Sequence, residues 1–245
     1  MRNFKIIIQY EGTRYQGWQK QGTTENTLQG KFETLLGRIA GRPVEIAASG
    51  RTDAGVHAYG QTANFHMDTE LSCAALMEQM NRYLPEDVAV ISCEEADLRF
   101  HARLHAKQKT YRYRVLNSAV PQVFDRKFVY QVPEPLDMEA MRRTAACLVG
   151  THDFKAFTSA KKGKKSTVRT IFSIQITRVG EEIQFLFTGD GFLYHMVRIL
   201  VGTLLEVGLS VRDAGDVERI FASQNRQKAG FLAPAQGLAL MEVRY

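Results

Sequence analysis

The chain has 245 residues, 44% of them hydrophobic and 24% charged, with 32 Lys and Arg against 26 Asp and Glu for a formal charge of +6. These proportions are those of a soluble globular protein with room for one large core or two small ones, and the basic balance leans toward a polyanionic partner. The three cysteines, Cys73, Cys93 and Cys147, are far apart in sequence and form no CxxC pair, which argues against a disulfide framework or a zinc knuckle and for a reducing cytosol.

Met1 to Tyr10 lacks the long apolar core of a signal peptide, and no apolar run is long enough to span a bilayer. The sequence therefore predicts a soluble, cytoplasmic protein. Phe4, Ile6, Ile8 and Tyr10 alternate as a strand. Gly12 and Gly17 mark a loop. A helix follows with Leu28, Phe32, Leu35, Leu36 and Ile39 on one face, and Asn26 with Gln29 as its capping box. Val44 to Ala48 and Gln61 to Met67 read as strands. Ser72 caps a helix carrying Leu76 and Met80, and Asp87 to Ser92 is a further strand.

The second half repeats that order. Tyr111, Tyr113 and Val115 alternate as a strand. Asp137 opens a helix with Met138, Met141, Ala145 and Leu148 on one stripe, closed at Gly150. Ile174 and Ile176, then Ile183, Phe185 and Phe187, flank a Gly180 turn as a hairpin. A helix from about Phe192 to Val207 buries Leu193, Met196, Val197, Leu200, Val201 and Leu204. Phe128 to Val132 is an extra strand, Val211 to Ser223 an extra helix, and Leu238 to Tyr245 the last strand. Each half is thus a split βαβ, ferredoxin-like unit. The expectation is an α+β fold of two ferredoxin-like, RRM-like pseudo-repeats, residues 1–105 and 106–245, sharing a broad, mainly antiparallel sheet with helices on one face.

The most unusual stretch is Gly50-Arg51-Thr52-Asp53-Ala54-Gly55-Val56-His57-Ala58, between two expected strands. On spacing alone, an Asp that caps its own backbone in a glycine-rich surface turn is the ordinary reading. The full string, however, resembles the signature of the tRNA pseudouridine synthase A family. Four further motifs follow in that family's order: Tyr10-Glu11-Gly12-Thr13 with Gly17-Trp18-Gln19, Lys109-Thr110-Tyr111-Arg112-Tyr113, Phe192 to Gly202 and Ala233 to Leu238.

The resemblance implies that Asp53 is the essential catalytic carboxylate, acting as nucleophile or base while the glycosidic bond of a uridine breaks and the uracil is re-attached through C5. Either role needs an ionised carboxylate. The family pattern makes Arg198 its salt-bridge partner, and helical spacing puts Tyr194, His195, Arg198 and Gly202 on one face, where Gly202 allows close backbone approach. Arg51 occupies the space the flipped nucleotide vacates or holds that nucleotide; a plain phosphate contact is the alternative. Tyr111 stacks on the target base, while Tyr113 reads as a core aromatic, and Leu238 walls the pocket. The family acts on positions 38, 39 and 40 of the tRNA anticodon stem-loop, as a homodimer, without metal or organic cofactor.

Two basic clusters fit phosphate recognition: Arg99, Arg103, Lys107, Lys109, Arg112 and Arg114 in one acid-free segment, and Lys161, Lys162, Lys164 and Lys165 around Gly163. The alternative for either is a solvated face. Trp18 reads as a structural anchor. Three rival functions differ in their requirements. A metal hydrolase would use His101 and His105, but no HExxH or acidic cluster accompanies them. A glycosidase would call for two carboxylates where the loop has one. A mere RNA-binding module leaves a carboxylate among arginines unexplained.

Overall fold

The computed structural model describes residues 1–160 and 166–245. The chain is α+β and divides into two compact units, Met1–Lys107 with Ala239–Tyr245, and Gln108–Leu238. The first holds β1 (Arg2–Tyr10), α1 (Leu28–Ala40), β2 (Ile46–Ala48), β3 (His57–Met67), α2 (Cys73–Tyr83) and β4 (Val88–Ala96). The second holds β5 (Gln108–Leu116), β6 (Tyr130–Gln131), α3 (Met138–Leu148), β7 (Gly150–Asp153), β8 (Val168–Val179), β9 (Glu182–Gly189), α4 (Met196–Gly208) and α5 (Asp216–Ser223). The last strand, β10 (Leu238–Arg244), joins the first unit from Ala239 onward. Among the described residues no helix is long and apolar enough to cross a membrane.

In the first unit β4, β1, β3 and β2 lie side by side, all antiparallel. β3 is long enough to take two partners on one edge: β2 at Ala63 to Phe65, and β10, in parallel, at His57 and Ala58. Strand alternation puts Phe4, Ile6 and Ile8 on one face, all fully buried, each contributing roughly 1.5–3 kcal/mol on leaving water. α1 and α2 cover that face with Leu28, Phe32, Leu36, Leu76 and Met80. Trp18 is buried there, stacked on Phe32 and tilted against Tyr10, the structural anchor its sequence position suggested.

In the second unit β5, β9, β8 and β7 run antiparallel. The sequence β5-α3-β8-β9-α4 repeats β1-α1-β2-β3-α2, and the sheet order β5-β9-β8 repeats β1-β3-β2. Tyr113, Phe185, Phe187 and Ile176 share one fully or nearly fully buried face, and Gly180, at φ 61°, makes the β8–β9 turn.

Several boundaries differ from the periodicity. The cap of α1 is Thr27, whose hydroxyl accepts from Gly30 N, and not Asn26, whose amide instead donates to the Arg14 carbonyl at 2.5 Å. Ser72 and Asp137 do cap α2 and α3. Val149, not Gly150, ends α3, and Gly150 at φ 111° turns the chain directly into β7, a strand with no sequence signal of its own. The extra strand shrinks to Tyr130–Gln131 and the extra helix to Asp216–Ser223. α4 begins at Met196, because His195 adopts φ 65°, in the left-handed region that breaks a helix. Cys73 and Cys93, remote in sequence, are neighbours where α2 packs on β4; burial, then Cys73, pushes the Cys93 thiol up to about 12.

Candidate active site

Asp53 stands half-buried in the loop between β2 and β3. The loop's shape is imposed by its neighbours. Gln61, fully buried on β3, grips Gly50 at both ends: Nε2 donates to the Gly50 carbonyl at 2.7 Å, and Oε1 accepts from Gly50 N at 3.2 Å. Tyr10 and Thr52 join their hydroxyls at 2.8 Å. Burial pushes the Tyr10 hydroxyl far above the usual phenol range, so it stays a neutral hydrogen-bonding group. Trp18 N donates to the Thr52 carbonyl, Gly55 N to that of Tyr15, and Val56 N closes the turn on the Asp53 carbonyl. Gly55, at φ 79°, supplies the conformation that turn needs.

Two other glycines act by what they lack. A Cβ on Gly17, itself at φ 86°, would stand 2.7 Å from the Thr52 carbonyl oxygen. One on Gly12 would run into the Val56 carbonyl. The N-terminal motif is thus a backbone cradle for the loop. Sequence reasoning missed Gln61 and His57 as members of this scaffold. Both are polar residues on a strand whose other residues are largely buried, a pattern that marks internal hydrogen bonding.

The second unit carries the other expected residues. Tyr111 lies on β5, buried, with Phe192 edge-on at 5.3 Å between ring centres. Arg112, its neighbour along the strand, pairs across with Leu186 while Tyr111 pairs with Phe187, so the two point to opposite faces of the sheet. Tyr113 is core, as its pattern suggested, and its hydroxyl donates to the Pro234 carbonyl at 2.8 Å. Burial raises that hydroxyl's pKa well beyond the phenol range, with the charge of Arg198 pulling the other way.

Arg198, half-buried on the first turn of α4, donates from Nε to the Ala233 carbonyl at 2.7 Å, and Ala233 N returns a bond to the Arg198 carbonyl. Gly202, one turn on, has no room for a Cβ because the Phe231 carbonyl sits against it. The close approach read from the sequence is therefore real. Tyr194 and His195 precede the helix and stack on each other at 3.7 Å instead of sharing the Arg198 face. The C-terminal motif, held by Arg198 and Tyr113, ends in buried Leu238. Lys161, Lys162, Lys164 and Lys165 lie outside the described residues.

His101 and His105 sit in a turn, where His101 N donates to Nδ1 of His105 at 3.3 Å, and not on a helix. Among the described residues no group of three or more His, Cys, Asp or Glu is placed to hold a metal ion. A groove of about 700 Å³ lined by Lys20, Lys31, Arg38 and Tyr83 contains no residue of the Asp53 loop and no part of the chemistry described above.

Comparison with known proteins places the chain in a family. The model of a family described as tRNA pseudouridine synthase matches residues 6–104 and 144–245. Over 245 residues, the whole of both chains, the protein is 44% identical to tRNA pseudouridine synthase A of Acetivibrio thermocellus and 45% identical to tRNA pseudouridine synthase A of Bacillus sp. strain KSM-64. The chain belongs to the tRNA pseudouridine synthase family. Arg51, Asp53, Arg198 and Leu238 fall within the matched segments, Tyr111 and Arg112 between them. A solved Cbf5-Nop10-Gar1 complex is similar only distantly, with a TM-score of 0.36 and 13% identity over 82% of this chain and 45% of that one, too remote to bear on the site.

Proposed function

We propose that this protein is an isomerase that converts uridine to pseudouridine in the anticodon stem-loop of tRNA, at positions 38, 39 and 40, with Asp53 as the catalytic carboxylate. The observation that carries the reading is the Gly50–His57 loop: a lone carboxylate in a turn that Tyr10, Gly12, Trp18 and Gln61 all hold from outside. A scaffold of that density around one acid suits a group that must be preorganised for chemistry. It is more than a surface turn requires.

In this reading Asp53 breaks the glycosidic bond as nucleophile or base, Arg51 deals with the flipped nucleotide, and Arg198 keeps the carboxylate ionised. Tyr111 stacks on the base, and Leu238 closes the pocket. Arg112 and the Lys161, Lys162, Lys164 and Lys165 cluster contact the RNA backbone. The enzyme works in the cytoplasm as a homodimer with neither metal nor organic cofactor: the N1–C1′ and C5–H bonds break, the C5–C1′ and N1–H bonds form, and no redox partner is called for.

The test is tritium release from unmodified tRNA labelled at C5 of uridine, with chelator present and Asp53→Ala as control. Making the new carbon–carbon bond expels that label. Release by the wild type alone supports the reading, and mapping the modified positions decides the target. Retained tRNA binding with no release refutes it.

A further inference from the structure

Asp87 lies between α2 and β4, in a turn that Val88 N closes on the Pro85 carbonyl. Its backbone carbonyl accepts from Glu11 N at 2.9 Å, one residue beyond the pairing of Val88 with Tyr10. Its side chain is only 10% exposed. Oδ1 accepts from the Tyr15 hydroxyl at 2.6 Å, and Oδ2 from Arg14, Nε at 2.7 Å and Nη2 at 2.6 Å. One residue thus grips Glu11, Arg14 and Tyr15, which belong to the segment between β1 and α1.

Tyr15 carries that grip to the catalytic loop. The residue is buried, and its hydroxyl, N–H and carbonyl are all engaged: the hydroxyl on Asp87, the N–H on the Gly12 carbonyl at 3.0 Å, and the carbonyl accepting from Gly55 N at 3.3 Å. Gly55 belongs to the turn that Val56 N closes on the Asp53 carbonyl. Only Tyr15 therefore stands between Asp87 and the turn that carries Asp53. Burial, and then the bond to Asp87, hold the Tyr15 hydroxyl far above the usual phenol range, so it remains a donor.

A carboxylate taken out of water costs free energy unless its oxygens are bonded. Here the contacts with one guanidinium and one phenol offset that cost, and charge makes such bonds strong. The junction of α2 and β4 does not call for the acid. Leu84 N already ends the helix on the Met80 carbonyl, and Val88 N closes the turn through backbone alone. An Asp that shapes its own turn bonds to residues two or three positions away. Among the described residues, every side-chain bond of Asp87 goes instead to the segment that cradles the Asp53 loop.

We infer that Asp87 is a positioning residue for the isomerisation: through Tyr15 it sets the turn that aims Asp53 at the target nucleotide. This rests on the proposed function for what Asp53 does, and adds a residue that acts through the cradle and not on the RNA. Loss of the link frees the turn while leaving the Asp53 carboxylate in place. The defect therefore falls on turnover and not on affinity.

The experiment compares wild type, Asp87→Ala, Asp87→Asn, Tyr15→Phe and the double variant Asp87→Ala with Tyr15→Phe, as full chains well below their melting temperatures. Amide hydrogen exchange of the Asp53 loop is read without RNA, and tritium release is read at saturating C5-labelled tRNA. Asp87→Ala and Tyr15→Phe should each speed exchange at Gly55 and Val56 about tenfold and lower kcat about tenfold, with tRNA affinity within about threefold of wild type. Asp87→Asn keeps an acceptor for Tyr15 without the charge and should fall between wild type and Asp87→Ala. Both single changes cut one link, so the double variant should be no worse than Asp87→Ala. Ile220→Val, a buried change on α5 in the other unit, is the control: it should lower the melting temperature and leave loop exchange and kcat unchanged. If Asp87→Ala does not fold, Tyr15→Phe and Asp87→Asn carry the test. Unchanged loop exchange, a normal kcat despite faster exchange, an affinity loss as large as the kcat loss, or single losses that multiply in the double variant overturn the inference. A wild type that binds tRNA without releasing tritium would refute the isomerase reading, and the exchange data would still decide whether Asp87 holds the turn.

Discussion

The backbone N–H of Gly12 donates to Nδ1 of His57 at 2.9 Å. While that bond stands, the buried imidazole carries its proton on Nε2. It ties the end of the N-terminal motif to the first residue of β3, on the far side of the loop that bears Asp53. Gly12 also packs its bare Cα against the Val56 carbonyl, where a Cβ would lie 2.6 Å from the carbonyl carbon. Gly12→Ala should therefore displace the loop and cost about 1–3 kcal/mol of stability. Turnover should fall further than tRNA binding. Chemical denaturation and tritium release check this, and an alanine variant with unchanged stability and rate would mean that the cradle yields freely.

Asp53→Asn changes charge with little change of shape. Turnover should disappear while tRNA affinity stays within about threefold of wild type, a difference below ~1 kcal/mol. Parallel loss of both, with the melting profile intact, would assign Asp53 to binding instead of catalysis.

Gly202→Ala puts a methyl group against the Phe231 carbonyl, whose carbon lies 2.9 Å from the Cβ position. α4 must move away, stretching the paired bonds between Arg198 and Ala233. A loss of about 1–3 kcal/mol is expected, with reduced turnover because Arg198 moves too. The same substitution at exposed Gly22, where a Cβ meets nothing within 4 Å, is the control and should leave both quantities unchanged.

Arg114 holds Glu182 through two bonds, 2.9 and 2.6 Å, across the start of β9. Burial raises the Glu182 pKa, but the bonds from Arg114, with help from Gln184 and Arg112, outweigh it and hold the carboxyl below its usual range. A depressed folded-state pKa stabilises the protein above the unfolded value of about 4.3, and that stability is lost as pH falls through the lower folded value. The melting-temperature gap between wild type and Glu182→Gln should be widest near neutrality and narrow below about pH 4. An equal gap at pH 3 and pH 7 would rule out the ion pair as its origin.

Lys161, Lys162, Lys164 and Lys165 changed together to Ala should weaken tRNA binding and flatten its dependence on salt. If each meets one phosphate, the slope of log K against log salt falls by up to about 3–4. An unaltered slope would show that the cluster lies off the RNA.

Much of the molecule was legible before any coordinates. Ser72 and Asp137 cap their helices because capping is a matter of three or four adjacent residues. Phe4, Ile6 and Ile8 alternate because a strand has period two, and Gly180 marks a hairpin that must turn there. Errors occurred where a local rule met a long-range contact. Asn26 has the chemistry of a cap, but its amide is engaged by the Arg14 carbonyl, and Thr27 takes the role. The run from Phe192 reads as helix, yet His195 takes a left-handed conformation, and Tyr194 is engaged upstream, its carbonyl accepting from the Thr158 hydroxyl.

The sequence by itself determined the element order, the two-fold repetition of that order, the buried faces and the loop that carries Asp53, since each is written in neighbouring residues or in a short motif. Tertiary structure alone decided what holds the loop and what stands beside it. Gln61 on Gly50, His57 under Gly12, Asp87 on Tyr15 and Phe231 against Gly202 join residues 11 to 72 positions apart. No periodicity encodes such pairs, because they arise only when separate elements pack and every buried polar group must find a partner.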